Sequence, residues 1–426
     1  MRCWAVVLFV ATPFVATGCG TPCPSTPLTP LASSPRFVLE LTDFGAPGAM
    51  PSVPDGGVSE PEPAPVVLPE YATLAFYGGT STLAVQHERW IDTYALWQGA
   101  AETYDARDGL PWSQPAGRLT LLMRQSPSVA GFALPSGALV HDLAVPVMGT
   151  PEGDTLVDLA PVAGGLALAS HRDGRLSVLD LRDDGALLRT LDVASTVGTS
   201  VRAGRVAPLG AGTQAVVGLD VAERGLVALV DVGAGAVSLL ELPGLRRCME
   251  VAALPADASR PGLQRVGVLC VGEPGESPEA PLGAGLALLE ADADTPLTLV
   301  VGRPLSTLFP GFAPTHALVG LNGGWVAVAS RGGPERLDAL LAIHLESDAG
   351  ALLWQEAWTE QWGPGLGEGA FDPSASELVW PSVRSGLLRF RQVGTRSDAR
   401  FDALPSARTP DCFRLAPRRA RYLPRP

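Results

Sequence analysis

The chain has 426 residues, of which 46% are hydrophobic and only 18% charged, so it carries ample apolar material for a core and global disorder is excluded. Its net charge of -13 argues against a nucleic-acid surface, which needs clustered positive charge. All 31 basic residues are arginine, which excludes Schiff-base chemistry on lysine and any phosphate loop ending in Gly-Lys-Ser/Thr.

At the N-terminus, Arg2 precedes an almost wholly apolar run from Trp4 to Ala16, and Gly18 and Cys19 follow. The run is too short and lopsided for a membrane span and reads as a signal peptide over residues 1–18. The sequence Val15-Ala16-Thr17-Gly18-Cys19 resembles the bacterial lipobox, in which small residues precede a cysteine that is acylated and becomes the mature N-terminus. Ala16 stands where leucine is usual. The resemblance implies lipidation of Cys19, and Gly20 in place of Asp implies the outer membrane. The other reading is ordinary cleavage nearby, which leaves Cys19 as a free thiol or disulfide partner. Residues 19–70 form the expected anchor and linker, with Pro47, Pro51, Pro54, Pro61, Pro63, Pro65 and Pro69 making an acidic, extended spacer.

No later apolar run reaches the ~18 residues that a span requires, so the remainder is expected outside the bilayer. Short apolar segments recur there, starting at Leu119, Leu166, Ala215, Val266, Val326 and Leu378, with spacings of 47, 49, 51, 60 and 52. After each of the last five come a polar or Gly-rich turn and two more strands, such as Leu176 to Leu181 with Ala186 to Leu191, and Leu226 to Asp231 with Ala236 to Leu240. A further short strand precedes most units, as at Val157 to Pro161 and Ala317 to Leu321. Four short antiparallel strands per period of ~50 residues is the pattern of a propeller blade, because each small sheet buries its faces only against its neighbours.

The pattern resembles the broad WD40-like and YVTN-type β-propeller superfamily over about 150–405. It carries neither the Gly-His nor the Trp-Asp blade signature, so the resemblance implies an architecture and no activity. The expected fold is all-β, a β-propeller of seven four-stranded blades over residues 71–412, with six blades as the alternative. Five units are explicit, a sixth surrounds Leu119, and Tyr71 to Val85 would supply the seventh. Phe37 to Leu41 alternates as a strand would and could complete the last blade. Residues 413–426 are expected as an Arg-rich tail, where Arg414, Arg418, Arg419, Arg421 and Arg425 read as solvated charges rather than a contact with anionic lipid or glycan headgroups.

If Cys3 leaves with the signal and Cys19 carries lipid, Cys23, Cys248, Cys270 and Cys412 remain in an oxidising compartment. The repeat register places Cys248 at the start of one strand and Cys270 at the end of its antiparallel partner. A cross-strand disulfide is therefore expected, against the alternative of two buried thiols. Cys23 with Cys412 follows only by elimination.

Motifs for chemistry are lacking. The five histidines show no metal-ligand spacing, no zinc pattern occurs, and no Gly-x-Ser-x-Gly elbow is present. Asp183-Asp184 and Asp292-Ala293-Asp294 sit at expected hairpin turns, where Asp is favoured for local hydrogen bonds. No metal and no cofactor are expected. The loops joining second to third strands should share one rim and carry His171, Arg172, Asp173 and Arg175; Asp220, Glu223 and Arg224; Arg331, Glu335 and Arg336; and Glu273, Glu276 and Glu279. That mixed charge suits protein contacts, with plain solvated loops as the bland reading. Trp90, Tyr94, Trp97, Tyr104 and Trp112, and also Trp354, Trp358 and Trp362, are grouped; packing is the commoner use of such groups and stacking on sugar rings the sharper one.

The resulting expectation is a non-catalytic, outer-membrane-anchored binding or scaffolding propeller with an envelope protein as partner. It makes no contact with nucleic acid and touches the membrane only through its lipid. A lactonase-like hydrolase and a glycan-binding propeller are the alternatives. A compact cluster of carboxylates or histidines in the central channel would weigh against the non-catalytic reading.

Overall fold

The computed structural model describes residues 36–42, 72–77, 84–85, 102–104, 118–123, 128–133, 138–144, 156–180, 186–210, 212–257, 260–273, 281–292, 296–305, 314–330, 337–357, 365–407 and 416–422. Among them are seven antiparallel four-stranded sheets, six built around the recurrent apolar segments and one drawing strands from the stretch Tyr71 to Val85. The first sheet combines β1 (Phe37–Thr42), β2 (Ala72–Tyr77) and β3 (Ala84–Val85) with a strand from the far end of the chain. The second holds β4 (Glu102–Tyr104), β5 (Arg118–Met123), β6 (Ser128–Ala133) and β7 (Ala138–Ala144). In the third are β8 (Leu156–Val162), β9 (Leu166–His171), β10 (Arg175–Asp180) and β11 (Ala186–Asp192), followed by a short helix, α1 (Val193–Val197).

The fourth contains β12 (Arg202–Pro208), β13 (Gln214–Asp220), β14 (Leu226–Asp231) and β15 (Ala236–Glu241). The fifth contains β16 (Glu250–Ala253), β17 (Gln264–Cys270), β18 (Gly285–Ala291) and β19 (Thr298–Pro304). The sixth contains β20 (Pro314–Gly320), β21 (Trp325–Ser330), β22 (Leu337–His344) and β23 (Gly350–Ala357). The seventh contains β24 (Ala370–Asp372), β25 (Glu377–Ser382), β26 (Gly386–Val393) and β27 (Arg400–Ala407). The last strand, β28 (Ala416–Tyr422), pairs with β1 and completes the first sheet in the order β28-β1-β2-β3.

Each recurrent apolar segment is the second strand of its sheet, and in β13 and β21 its residues alternate between two cores. In β21, Val326 and Val328 pack with Leu269, Leu286 and Leu288 of the fifth sheet. Ala327 faces the other way and joins Leu378 and Trp380 of the seventh. In β13, Val217 packs with Leu168 and Val178 of the third sheet, while Val216 packs with Val266 and Val268 of the fifth. A strand with a neighbour on both faces has no polar face, so β21 and β25 are buried along their whole length. The fourth strands lie outermost, and β15 and β19 alternate between half-buried and exposed residues. The first strands lie innermost, where β8, β12, β16, β20, β24 and β28 touch one another in succession.

Two expected boundaries are corrected. Phe37–Thr42 falls within the expected linker of residues 19–70, and Ala416–Tyr422 within the expected tail of residues 413–426, yet the two pair with each other. Ala-Pro-Arg-Arg-Ala-Arg-Tyr forms a strand without the apolar alternation of a half-buried one, because an innermost strand faces a polar channel and has no need of it. Seven sheets replace the six-blade alternative. Cys19, Cys23 and Cys412 lie outside the described residues, whereas Cys248 and Cys270 are joined by a disulfide 22 residues apart in sequence.

Candidate functional site

The charged groups that converge in the structure sit on the innermost strands. Their placement begins with a bulge in β12, where pairing with β13 shifts register between Ala203 and Val206. Gly204 permits the bulge, since a Cβ there would stand 2.1 Å from the Met249 carbonyl oxygen. The next residue, Arg205, donates its backbone N–H to the same carbonyl at 2.8 Å, and the bulge re-aims its side chain into the channel. The Val206 N–H is taken by Asp158 Oδ2 at 2.9 Å, from a second bulge in β8.

Around the Arg205 guanidinium stand three carboxylates from three other sheets. Glu368, just before β24, accepts from it at 2.5 Å; Glu250 of β16 lies at 3.5 Å and Asp158 at 3.7 Å. Glu368 also takes Arg419 of β28 at 3.1 Å, and it bridges that residue's backbone in parallel. Burial alone would lower the Arg205 pKa, but Glu368, Glu250 and Asp158 outweigh it and raise the pKa, so this guanidinium stays charged. The group lines a small cavity of about 160 Å³ with Ala317 and Val319. It is the compact channel cluster of carboxylates that was expected to weigh against a non-catalytic reading. Its composition is particular, because every one of its carboxylates lies against an arginine, and among the described residues no three His, Cys, Asp or Glu side chains are placed to hold a metal ion. The sequence reading singles out none of Asp158, Arg205, Glu250 and Glu368, and takes Arg419 for a solvated tail charge, whereas it pairs with Glu368. The available signal was a charge inside an expected first strand, as with Asp158 and Glu250.

Much of the charge on the described rim residues is paired locally. Asp173 pairs with Arg175, which holds the Asp173 carboxyl below its usual range against the opposing effect of burial. Asp220 accepts two hydrogen bonds from Arg247, at 2.7 and 3.1 Å. Arg246 reaches Glu273 at 2.5 Å, and Arg224 lies 3.6 Å from Glu241 at the surface. His171 is buried, bonded through Nε2 to Ser177 Oγ at 2.8 Å, and burial lowers its pKa. Arg172 and Glu223 are exposed. Arg331, Glu335, Arg336, Glu276 and Glu279 lie outside the described residues.

Of the tryptophan groups, Trp354 of β23 packs on the core and donates to Glu356 at 3.2 Å. Tyr104 lies in β4, and the others fall outside the described residues. Asp183, Asp184 and Asp294 are likewise outside them, in the connections from β10 to β11 and from β18 to β19.

This architecture is a β-propeller. No family model matches the chain, and no curated protein does. Solved structures do. A candidate 6-phosphogluconolactonase from Bacteroides fragilis is 10% identical, with a TM-score of 0.54 over 92% of this chain and 99% of that one. A protein from Lactobacillus plantarum is 13% identical, with a TM-score of 0.54 over 92% of this chain and 100% of that one. The WD40 repeats of RRP9 are 10% identical, with a TM-score of 0.47 over 74% of this chain and 81% of that one. Identities this low speak to the fold alone.

Proposed function

We propose that this chain is a non-catalytic binding propeller, held at a bacterial envelope by lipid on Cys19 and engaging a protein partner through its rim. The observation that carries the reading is the mutual pairing of the channel charges. Arg205 and Arg419 occupy the carboxylates that a hydrolytic site would leave poised, so the cluster braces opposite sides of the ring. Exposed Arg172 and Glu223 leave the rim open to a partner. A hydrolase is the second reading. It draws on the presence of a channel carboxylate cluster at all, and on the candidate lactonase among the solved structures of like fold.

The test is affinity recovery of the tagged full chain from cross-linked native envelopes, beside an Arg172→Ala/Glu223→Ala variant and a Cys19→Ser variant. A discrete protein lost with the rim variant is expected, together with release of the Cys19→Ser chain from the membrane fraction. A partner unaffected by the rim changes, or none, sinks the rim reading. Lactone hydrolysis abolished by Glu368→Gln in a chain that still folds would replace it with the hydrolase.

A further inference from the structure

On the face opposite the rim, loops of the fifth, sixth and seventh sheets enclose a cavity of about 630 Å³, within the range of small-molecule sites. Its wall includes Arg260, Arg265 and Arg396 against two carboxylates, Asp257 and Glu346. Those carboxylates are already engaged: Glu346 receives Arg265 at 2.5 Å and Asp257 lies 3.5 Å from Arg260. Glu290, behind the wall, takes Arg265 at 3.0 Å. Among the described residues, Arg396 is the wall arginine that no carboxylate engages. We infer that this cavity binds a small organic oxyanion, carrying carboxylate or phosphate groups, with Arg396 as its principal charged contact.

The wall around Arg396 is fixed before any ligand arrives. The indole Nε1 of buried Trp325 donates to the Arg396 carbonyl at 2.9 Å and holds that loop in place. Gly323 and Gly324 both have positive φ, 69° and 84°, and a Cβ on Gly323 would stand 1.8 Å from the Thr395 carbonyl oxygen. Only glycine lets this turn lie against the Arg396 loop. The Asn322 backbone is clamped by Gln392, which accepts from its N–H at 3.2 Å and donates to its carbonyl at 2.9 Å. His344 stands edge-on to Trp325; one ring nitrogen bonds Ser347 Oγ at 2.8 Å and the ring also bonds the Gly323 backbone. Burial lowers the His344 pKa, so it is a neutral wall rather than a competing cation. Fixing the loop removes backbone ordering from the cost of binding, and the guanidinium can offer two parallel bonds to an oxyanion.

The inference is independent of the rim reading, and rim variants leave it untouched. Calorimetric titration of the purified full chain with citrate, and separately with inorganic phosphate, tests it. Saturable binding of at least one is expected, weakened about tenfold or more in Arg396→Gln, the loss of one charged hydrogen-bond partner. Arg396 is exposed, so the variant should melt with the parent. Binding of citrate alone assigns a carboxylate ligand and of phosphate alone a phosphorylated one. No saturable heat from either, or equal affinity in parent and Arg396→Gln, overturns the inference.

Discussion

The fifth sheet and the first solve the same packing problem with different means. The fifth runs from β16 to β19 in one stretch of chain. It is held by apolar clusters on both faces and by the disulfide that ties Cys270, at the end of β17, to Cys248, two residues before β16. The first sheet is assembled from both ends of the described chain, and beside its apolar Phe37, Leu39 and Tyr77 it carries a latch of charge. Arg36 reaches Asp372 at 2.7 Å and Glu377 at 2.9 Å on the seventh sheet, and Glu377 also takes Arg389 at 2.9 Å. The Arg389 guanidinium lies 5.1 Å over the Tyr77 ring. An alternating apolar strand fits the gap between any two blades, so apolar pattern alone cannot say which strand closes a ring of similar sheets. A guanidinium that must meet two particular carboxylates fits one gap and one register.

The sharpest way to break this comparison is Arg36→Ala. It leaves Asp372, 1% exposed, without its guanidinium, and urea unfolding should show a loss of about 3–5 kcal/mol. A loss under about 1 kcal/mol, the size of a surface pair, would mean that the latch is ornamental. Next in size is Cys248→Ala/Cys270→Ala. For a separation of 22 residues, constraint of the unfolded chain alone is worth about 3 kcal/mol. Urea midpoints with and without reductant should agree for the variant and diverge for the parent.

The smallest effect is acid sensitivity of the latch. Burial by itself raises the Asp372 pKa, but hydrogen bonds from Ser374, Arg36 and the Ala375 backbone outweigh it and hold the carboxyl below its ordinary value. A folded-state pKa below the unfolded one gives stability that is present above about pH 4 and lost as pH falls through the folded value. Asp372→Asn should therefore flatten the acid limb of stability below about pH 4, measured by urea unfolding. An unchanged limb would remove Asp372 from the account.

How much of this could be read in advance divides along the radius of the sheets. The second strands were legible because two apolar neighbours leave a continuous apolar run, as in Trp325–Ser330. The disulfide followed from strand register. Of the innermost strands, β8 and β20 were legible at Val157 to Pro161 and Ala317 to Leu321, whereas a polar channel removes the apolar signature from others, so Arg-Ala-Gly-Arg-Val-Ala-Pro in β12 and Ala-Pro-Arg-Arg-Ala-Arg-Tyr in β28 resemble loops. The channel cluster was illegible for a further reason. Asp158, Arg205, Glu250, Glu368 and Arg419 meet only because the ring closes, and no local motif records that.

The pairing of β28 with β1 also sets a timetable for the growing polypeptide. β1 is among the first described segments to be synthesised and its partner the last, so at about 5–20 residues per second β1 waits for tens of seconds with one edge unpaired. An unpaired edge is the feature by which strands of different molecules join. The interval before the ring closes, rather than the finished ring, is when this edge is open to another molecule.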